Sequence, residues 1–228
     1  MLEVSSLQVS YGQSQVIRDM NLNMGKEESL AVMGRNGMGK TTLFKALIGI
    51  LPSEGKVVLD GQDISNMSSH QRVASGMAYV PQGRMIFSNL SVQENIEAGL
   101  ETASVKRVPS EIFDLFPVLH DMRNRKGGNL SGGQQQQLAI ARALVSEPKV
   151  LLLDEPTEGI QPSIIKEIAA TLNEIRAMKK IAILVSEQVL SFTIEMSDRL
   201  VVVEKGRIVH EEQSGTADQA KIASFLAV

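Results

Sequence analysis

Gly34-Arg35-Asn36-Gly37-Met38-Gly39-Lys40-Thr41-Thr42, read GRNGMGKTT, decides how the rest of this chain is to be understood. It fits a glycine, four variable positions and then Gly-Lys-Thr, the spacing of a turn that wraps phosphate. Before it, Leu30 to Met33 is a short apolar run suited to a buried strand; after it, Thr42 to Ile48 can begin a helix. Strand, glycine-rich turn and helix start thus fall in the order that a phosphate cradle requires. The glycines keep side chains out of the way, so successive N–H groups and the positive end of the helix face a polyphosphate. Lys40 brings a mobile cation to the outer phosphates, and Thr41 offers a hydroxyl to magnesium. The competing reading is a tight strand-to-helix turn with an incidental lysine.

Further along, Val150 to Leu153 is continuously apolar and ends in Asp154, Glu155 and Pro156. Such a run suits a central parallel strand covered on both faces, and carboxylates at its end stand where ligands bind in open α/β sheets. Asp154 can hold magnesium; Glu155 is then placed to orient, or take a proton from, a water attacking the terminal phosphorus. A turn or capping pair is the alternative. Ile181 to Val185, a further core strand, delivers Ser186, Glu187 and Gln188 to the same edge.

Three other stretches carry polar chemistry. Met77 to Val80 reads as a strand closed by Pro81, and the amide of Gln82 can reach a metal or water, or simply sit in an exposed loop. Val92 to about Val145 reads as an inserted helical lobe. Within it, GGNLSGG from Gly127 to Gly133 is either a second anion site, with Ser131 as helix cap, or a flexible joint. Tyr11 is a turn aromatic or a base-stacking one.

The remaining pattern predicts strands at Leu2 to Val9, Val16 to Leu22 and Gly55 to Leu59, with Met24-Gly25-Lys26 hairpin-like before Leu30 and Asp60-Gly61 a turn. Pro162 opens a helix to about Met178, with Ile164, Ile165, Ile168, Leu172 and Ile175 on one stripe. Leu200 to Val203 and Ile208-Val209 form a closing hairpin, and Ala217 to Leu226 a last helix. No linker separates two domains, so one α/β unit of 228 residues is expected. The formal charge of −3 argues against nucleic acid as a main partner. Absent cysteine removes thiolate chemistry, and three scattered histidines give no zinc spacing. MLEVSSLQV is no signal segment, and no run suits a membrane span, so any membrane role is expected to come through a partner.

Taken together, these residues resemble the ATP-binding subunit of an ABC transporter. The resemblance rests on GRNGMGKTT, Gln82 as the glutamine-loop residue, LSGGQ at Leu130 to Gln134 and VLLLDE at Val150 to Glu155, in the family's order. It implies a P-loop NTPase core of the ABC ATPase type. An antiparallel β subdomain drawing on residues 1–29 and 55–75 and an α-helical subdomain at about 90–146 would accompany that core. It also implies Mg2+ and ATP as cofactors, held by Gly34, Arg35, Asn36, Gly37, Met38, Gly39, Lys40, Thr41 and Thr42, with Tyr11 stacking on adenine. Thr41, Gln82 and Asp154 would hold the metal, and Glu155, Gln82 and Gln188 would serve hydrolysis. Leu130, Ser131, Gly132, Gly133 and Gln134 would cover the ATP of a second ATP-binding subunit, or of a second copy, in a head-to-tail dimer.

Two departures narrow the resemblance. Gln188, in VSEQ, replaces the usual switch histidine and cannot carry a proton near pH 7. Gln161, in PTEGIQPS, replaces a frequent aspartate. The first is typical of the smaller ATPase of branched-chain amino-acid importers. The strings YVPQGR, FPVL, LSGGQQQQLAI and DEPTEGIQPSIIKEI look most like the second ATP-binding subunit of bacterial urea importers, with branched-chain amino-acid or amide importers as alternatives. The resemblance further implies two permease subunits, an external solute-binding protein and a peripheral place on the cytoplasmic face of the inner membrane.

Overall fold

The computed structural model describes residues 1–103 and 105–226. In chain order the elements are β1 (Leu2–Tyr11), β2 (Ser14–Met24), β3 (Ser29–Met33), α1 (Lys40–Leu47), β4 (Glu54–Leu59), β5 (Gln62–Asp63), α2 (Ser69–Ala74) and β6 (Met77–Val80). Then follow α3 (Val92–Glu97), α4 (Ser110–Leu115), α5 (Pro117–Asp121), α6 (Gly132–Leu144), β7 (Val150–Asp154) and α7 (Pro162–Lys179). The chain finishes with β8 (Ala182–Glu187), α8 (Leu190–Met196), β9 (Arg199–Glu204), β10 (Arg207–Gln213) and α9 (Gln219–Leu226).

The wholly apolar runs become the centre of a six-stranded sheet ordered β10-β9-β3-β8-β7-β6. All its neighbours are parallel except the β9–β10 hairpin at one edge. Strand side chains alternate between faces, so each central strand feeds two cores. Leu30 and Val32 of β3, Val150 and Leu152 of β7, and Ala182 and Leu184 of β8 pack with Leu43, Phe44 and Leu47 of α1. A second, antiparallel sheet, β2-β1-β4-β5, closes over the same core through Leu2, Leu7, Ile17 and Met20. Ala31, Met33, Leu151, Leu153, Ile183 and Val185 point the other way, onto α3, α6, α7, α8 and α9. The fold is therefore a mixed α/β core with a separate helical subdomain, the architecture that the resemblance implies.

The Met24-Gly25-Lys26 segment is a correction. It is not a hairpin, because β2 and β3 lie in different sheets. Strand β3 already has parallel neighbours on both sides, β8 and β9, which leaves it no free edge for β2. The chain instead crosses between sheets, held by the Glu28 carboxylate, which accepts from the Gly25 N–H at 2.6 Å and from Arg199 Nε at 2.8 Å.

Candidate active site

The phosphate-type loop leaves β3 at Met33 and enters α1 at Lys40. No side chain caps α1 and no acid lies in its first turn, so its leading N–H groups stay available to an anion. Gly34 is required sterically: a Cβ there would lie 2.5 Å from the Val203 carbonyl oxygen, at a φ of 156°. Lys40 is only 4 % exposed, and its ammonium donates to the carbonyls of Gly34 at 2.7 Å and Arg35 at 3.3 Å. It also pairs with Glu155 Oε1 at 3.1 Å.

Strand β7 brings the two carboxylates to the loop. Buried Asp154 accepts from the Thr41 hydroxyl at 3.3 Å, the Ser186 hydroxyl at 2.6 Å and the Tyr79 hydroxyl at 3.2 Å. Burial, with the Asp154 charge next to it, pushes the Tyr79 phenol well above its ordinary range, so it remains a donor. Glu155 has a left-handed backbone, φ 48°, fixed where its N–H meets the carbonyl and hydroxyl of Ser186, both at 3.1 Å. Its carboxylate accepts from Gln82 Nε2 at 3.3 Å and Gln188 Nε2 at 3.1 Å. Gln188 Nε2 also reaches Asn36 Oδ1 at 2.7 Å. Glu187 points inward, accepting from the N–H and hydroxyl of Thr157 and from the N–H groups of Gln188 and Val189. It thereby pins the two loops that carry Glu155 and Gln188 to each other.

Asn36, Lys40, Thr41, Gln82, Glu155, Thr157, Glu187 and Gln188 line one cleft of about 830 Å³, together with Gly37, Gly39, Thr42, Glu158 and Gly159, whereas Gly34, Asp154, Tyr79 and Ser186 do not reach its lining. Thr41 and Asp154 present hard oxygen donors side by side, a set that suits magnesium rather than a softer metal.

Other expected site residues stand apart from this cleft. Tyr11 ends β1, is 49 % exposed and does not line the cleft, whereas Val16 of the neighbouring strand does. Arg35 and Met38 lie in the loop but face a small crevice against Val203 and Phe225. Ser131 caps α6, accepting from the Gln134 N–H at 3.4 Å, while Gln134 Oε1 accepts from the Ser131 N–H at 2.9 Å. Leu130 is buried in the helical lobe's core. Gly133 has no space for a side chain, since its Cβ would come within 2.7 Å of Ile164 Cγ2. None of residues 130–134 lines the cleft, so one chain does not bring its LSGGQ turn to its own phosphate loop. Sequence alone brings Glu187 to this edge but gives neither it nor Tyr79 these roles. A tyrosine within an apolar strand was the available signal, because a buried phenol needs a partner.

A family model described as ABC transporter matches residues 17–158. The chain is 35 % identical over 223 residues to a probable branched-chain amino acid transport ATP-binding protein, LivF, of Archaeoglobus fulgidus, covering 96 % of this chain and 93 % of that one. It is 34 % identical over 213 residues to the high-affinity branched-chain amino acid transport ATP-binding protein BraG of Pseudomonas aeruginosa, covering 92 % and 91 %. Among solved structures, an ATP-binding cassette of an ABC transporter superposes with a TM-score of 0.85 at 25 % identity, covering 99 % and 98 %.

Proposed function

The chain belongs to the ABC transporter family as an ATP-hydrolysing subunit that binds Mg-ATP, and from that premise we propose that it drives import of branched-chain amino acids. The observation that carries the catalytic part is the convergence of Lys40, Gln82 and Gln188 on the Glu155 carboxylate, beside Thr41 and Asp154. Magnesium, when bound, offsets charge on the phosphates, and Thr41, Asp154 and Gln82 would hold it. Residues Gly34 to Thr42 cradle the phosphates, with Lys40 transferring from Glu155 to them. Glu155, so released, orients the attacking water and takes its proton. Gln188 holds that carboxylate and Asn36 by its amide and moves no proton itself. Tyr11 would stack on the base from the end of β1.

The LSGGQ turn supports a dimer. Ser131, Gly132 and Gly133 do not line the chain's own cleft, which suits service to the nucleotide of a second ATP-binding subunit or a second copy. Among the described residues no helix is long and apolar enough to cross a membrane. Attachment would then run through two permease subunits, fed by an external solute-binding protein, with this chain peripheral on the cytoplasmic face of the inner membrane. A groove of about 490 Å³ lined by Tyr79, with exposed Ile50, Met85 and Phe87 on its wall, offers an apolar seat for the permease.

The cargo rests on likeness, since none of the residues assigned above touches solute. Both relatives above are named for branched-chain amino acids; the strings YVPQGR and DEPTEGIQPSIIKEI favour urea as the second reading. The test is ATPase activity of the chain reconstituted with its permease and binding protein, with added leucine or added urea. Stimulation by leucine alone supports the amino-acid reading. Stimulation by urea alone replaces it with the second and leaves the ATP site untouched.

A further inference from the structure

Gly83, Arg84 and Met85 are three successive left-handed residues, with φ of 76°, 67° and 45°. Side-chain-bearing residues resist this region, so surrounding contacts must impose it on Arg84 and Met85. The Arg84 N–H donates to the Pro81 carbonyl at 3.0 Å, and its own carbonyl accepts from Arg142 Nη2 of α6 at 3.2 Å. Thus held, the backbone sends the guanidinium across to the loop that follows Glu155. There Nη2 donates to the Glu158 carbonyl at 2.8 Å. The guanidinium also lies against Gly132 and Gly159: Cβ atoms added at those positions would stand 3.5 Å and 3.7 Å from Nη2.

The Glu158 carbonyl belongs to a turn closed by the Glu158 N–H on the Glu155 carbonyl at 3.2 Å and the Ile160 N–H on the Thr157 carbonyl at 3.1 Å. Anchoring Glu158 therefore anchors the backbone that aims the Glu155 carboxylate. We propose that Arg84 is a positioning residue for ATP hydrolysis, a clasp that holds the 155–160 turn in register with Gln82 and the start of α6. The proposal rests on Glu155 acting in hydrolysis, as read above. Arg84 contacts neither phosphate nor metal in this role; it acts through Glu155.

Full-length wild type, R84A, R84K, R84Q and E155Q test it by hydrogen exchange of the 157–161 amides without nucleotide, and by kcat and KM for ATP. R84A is expected to speed exchange in 157–161 by about fivefold or more, because a local opening is no longer opposed. Its kcat falls by about tenfold while KM stays within about twofold, the split of a lost positioning contact. R84K keeps a single donor for the Glu158 carbonyl and is expected to recover part of both losses. If R84A does not fold, the order wild type, R84K, R84Q in protection and kcat carries the same test. Unchanged exchange and kcat on removing the guanidinium overturns the clasp. Equal losses in R84K and R84A with a raised KM also overturn it, as general destabilisation. Wild type matching E155Q in turnover would overturn the role of Glu155 instead, so the two failures are distinguishable.

Discussion

Replacing Glu155 with glutamine tests the site through its effect without nucleotide as well as through turnover. The Lys40–Glu155 pair spans 3.1 Å, with side chains only 4 % and 10 % exposed. In E155Q the ammonium keeps the carbonyls of Gly34 and Arg35 but loses its counter-charge. The new amide also faces three donors, Lys40, Gln82 and Gln188, where the carboxylate accepted from all of them. Removing one partner of such a pair costs about 2–4 kcal/mol. At about 2–4 °C per kcal/mol for a chain of this size, Tm without nucleotide falls by about 5–15 °C. Saturating Mg-ATP gives Lys40 phosphate oxygens in both proteins, so the Tm gap should shrink to less than about half. By linkage, ATP then binds E155Q about tenfold more tightly or better. Turnover falls at least about tenfold, since the attacking water loses its carboxylate. Thermal melts with and without Mg-ATP, together with phosphate release, measure all of this. A Tm within about 1 °C of wild type, or a deficit that ATP leaves unchanged, would refute the claim that Glu155 stabilises Lys40. Equal turnover would remove Glu155 from the chemistry.

Lys40→Ala is expected to weaken ATP binding by about tenfold or more, since the cation on the outer phosphates is lost; titration calorimetry reads it, and wild-type affinity would contradict the cradle. Gln188→Ala should slow hydrolysis because Asn36 and Glu155 lose their common donor, with Q188H retaining part of the rate; a Q188A rate equal to wild type would show the amide dispensable. Tyr79→Phe should cost about 1 kcal/mol through the hydrogen bond to Asp154. Its pH signature is more specific. The folded phenol stays protonated above the ordinary value of 10.0, where the unfolded chain's phenol ionises. Stability is therefore fully present below pH 10 and declines as pH rises beyond it, and Y79F should flatten that decline in urea melts at pH 9 to 11.

The cradle was legible because its spacing is its geometry: residues 34–42 are contiguous, and the turn needs only local backbone. Val150 to Glu155 was legible for the same reason, an apolar strand delivering polar residues at its end. The crossing at Met24-Gly25-Lys26 was not, because what forbids a hairpin is β3's occupation by β8 and β9, strands from far along the chain. The roles of Tyr79 and Arg84 are hidden likewise: their partners, Asp154 and Glu158, lie 75 and 74 residues away. Both residues belong to the string YVPQGR, but nothing within it names those partners. The cargo stays outside such reading, since a motor subunit contacts nucleotide and partners rather than solute.

Strand β3 sits between β8 and β9, and the phosphate loop that leaves it rests on the end of β9 and the turn after it. Gly34 lies under the Val203 carbonyl, and the Met38 carbonyl accepts from the Gly206 N–H at 3.1 Å. A ribosome delivers those supports roughly 150 or more residues after the loop itself has emerged. Until β9 and the turn after it exist, the subunit has its nucleotide-binding sequence but not the scaffold that shapes it. Competence to engage ATP therefore waits on strand β9 rather than on synthesis of the loop.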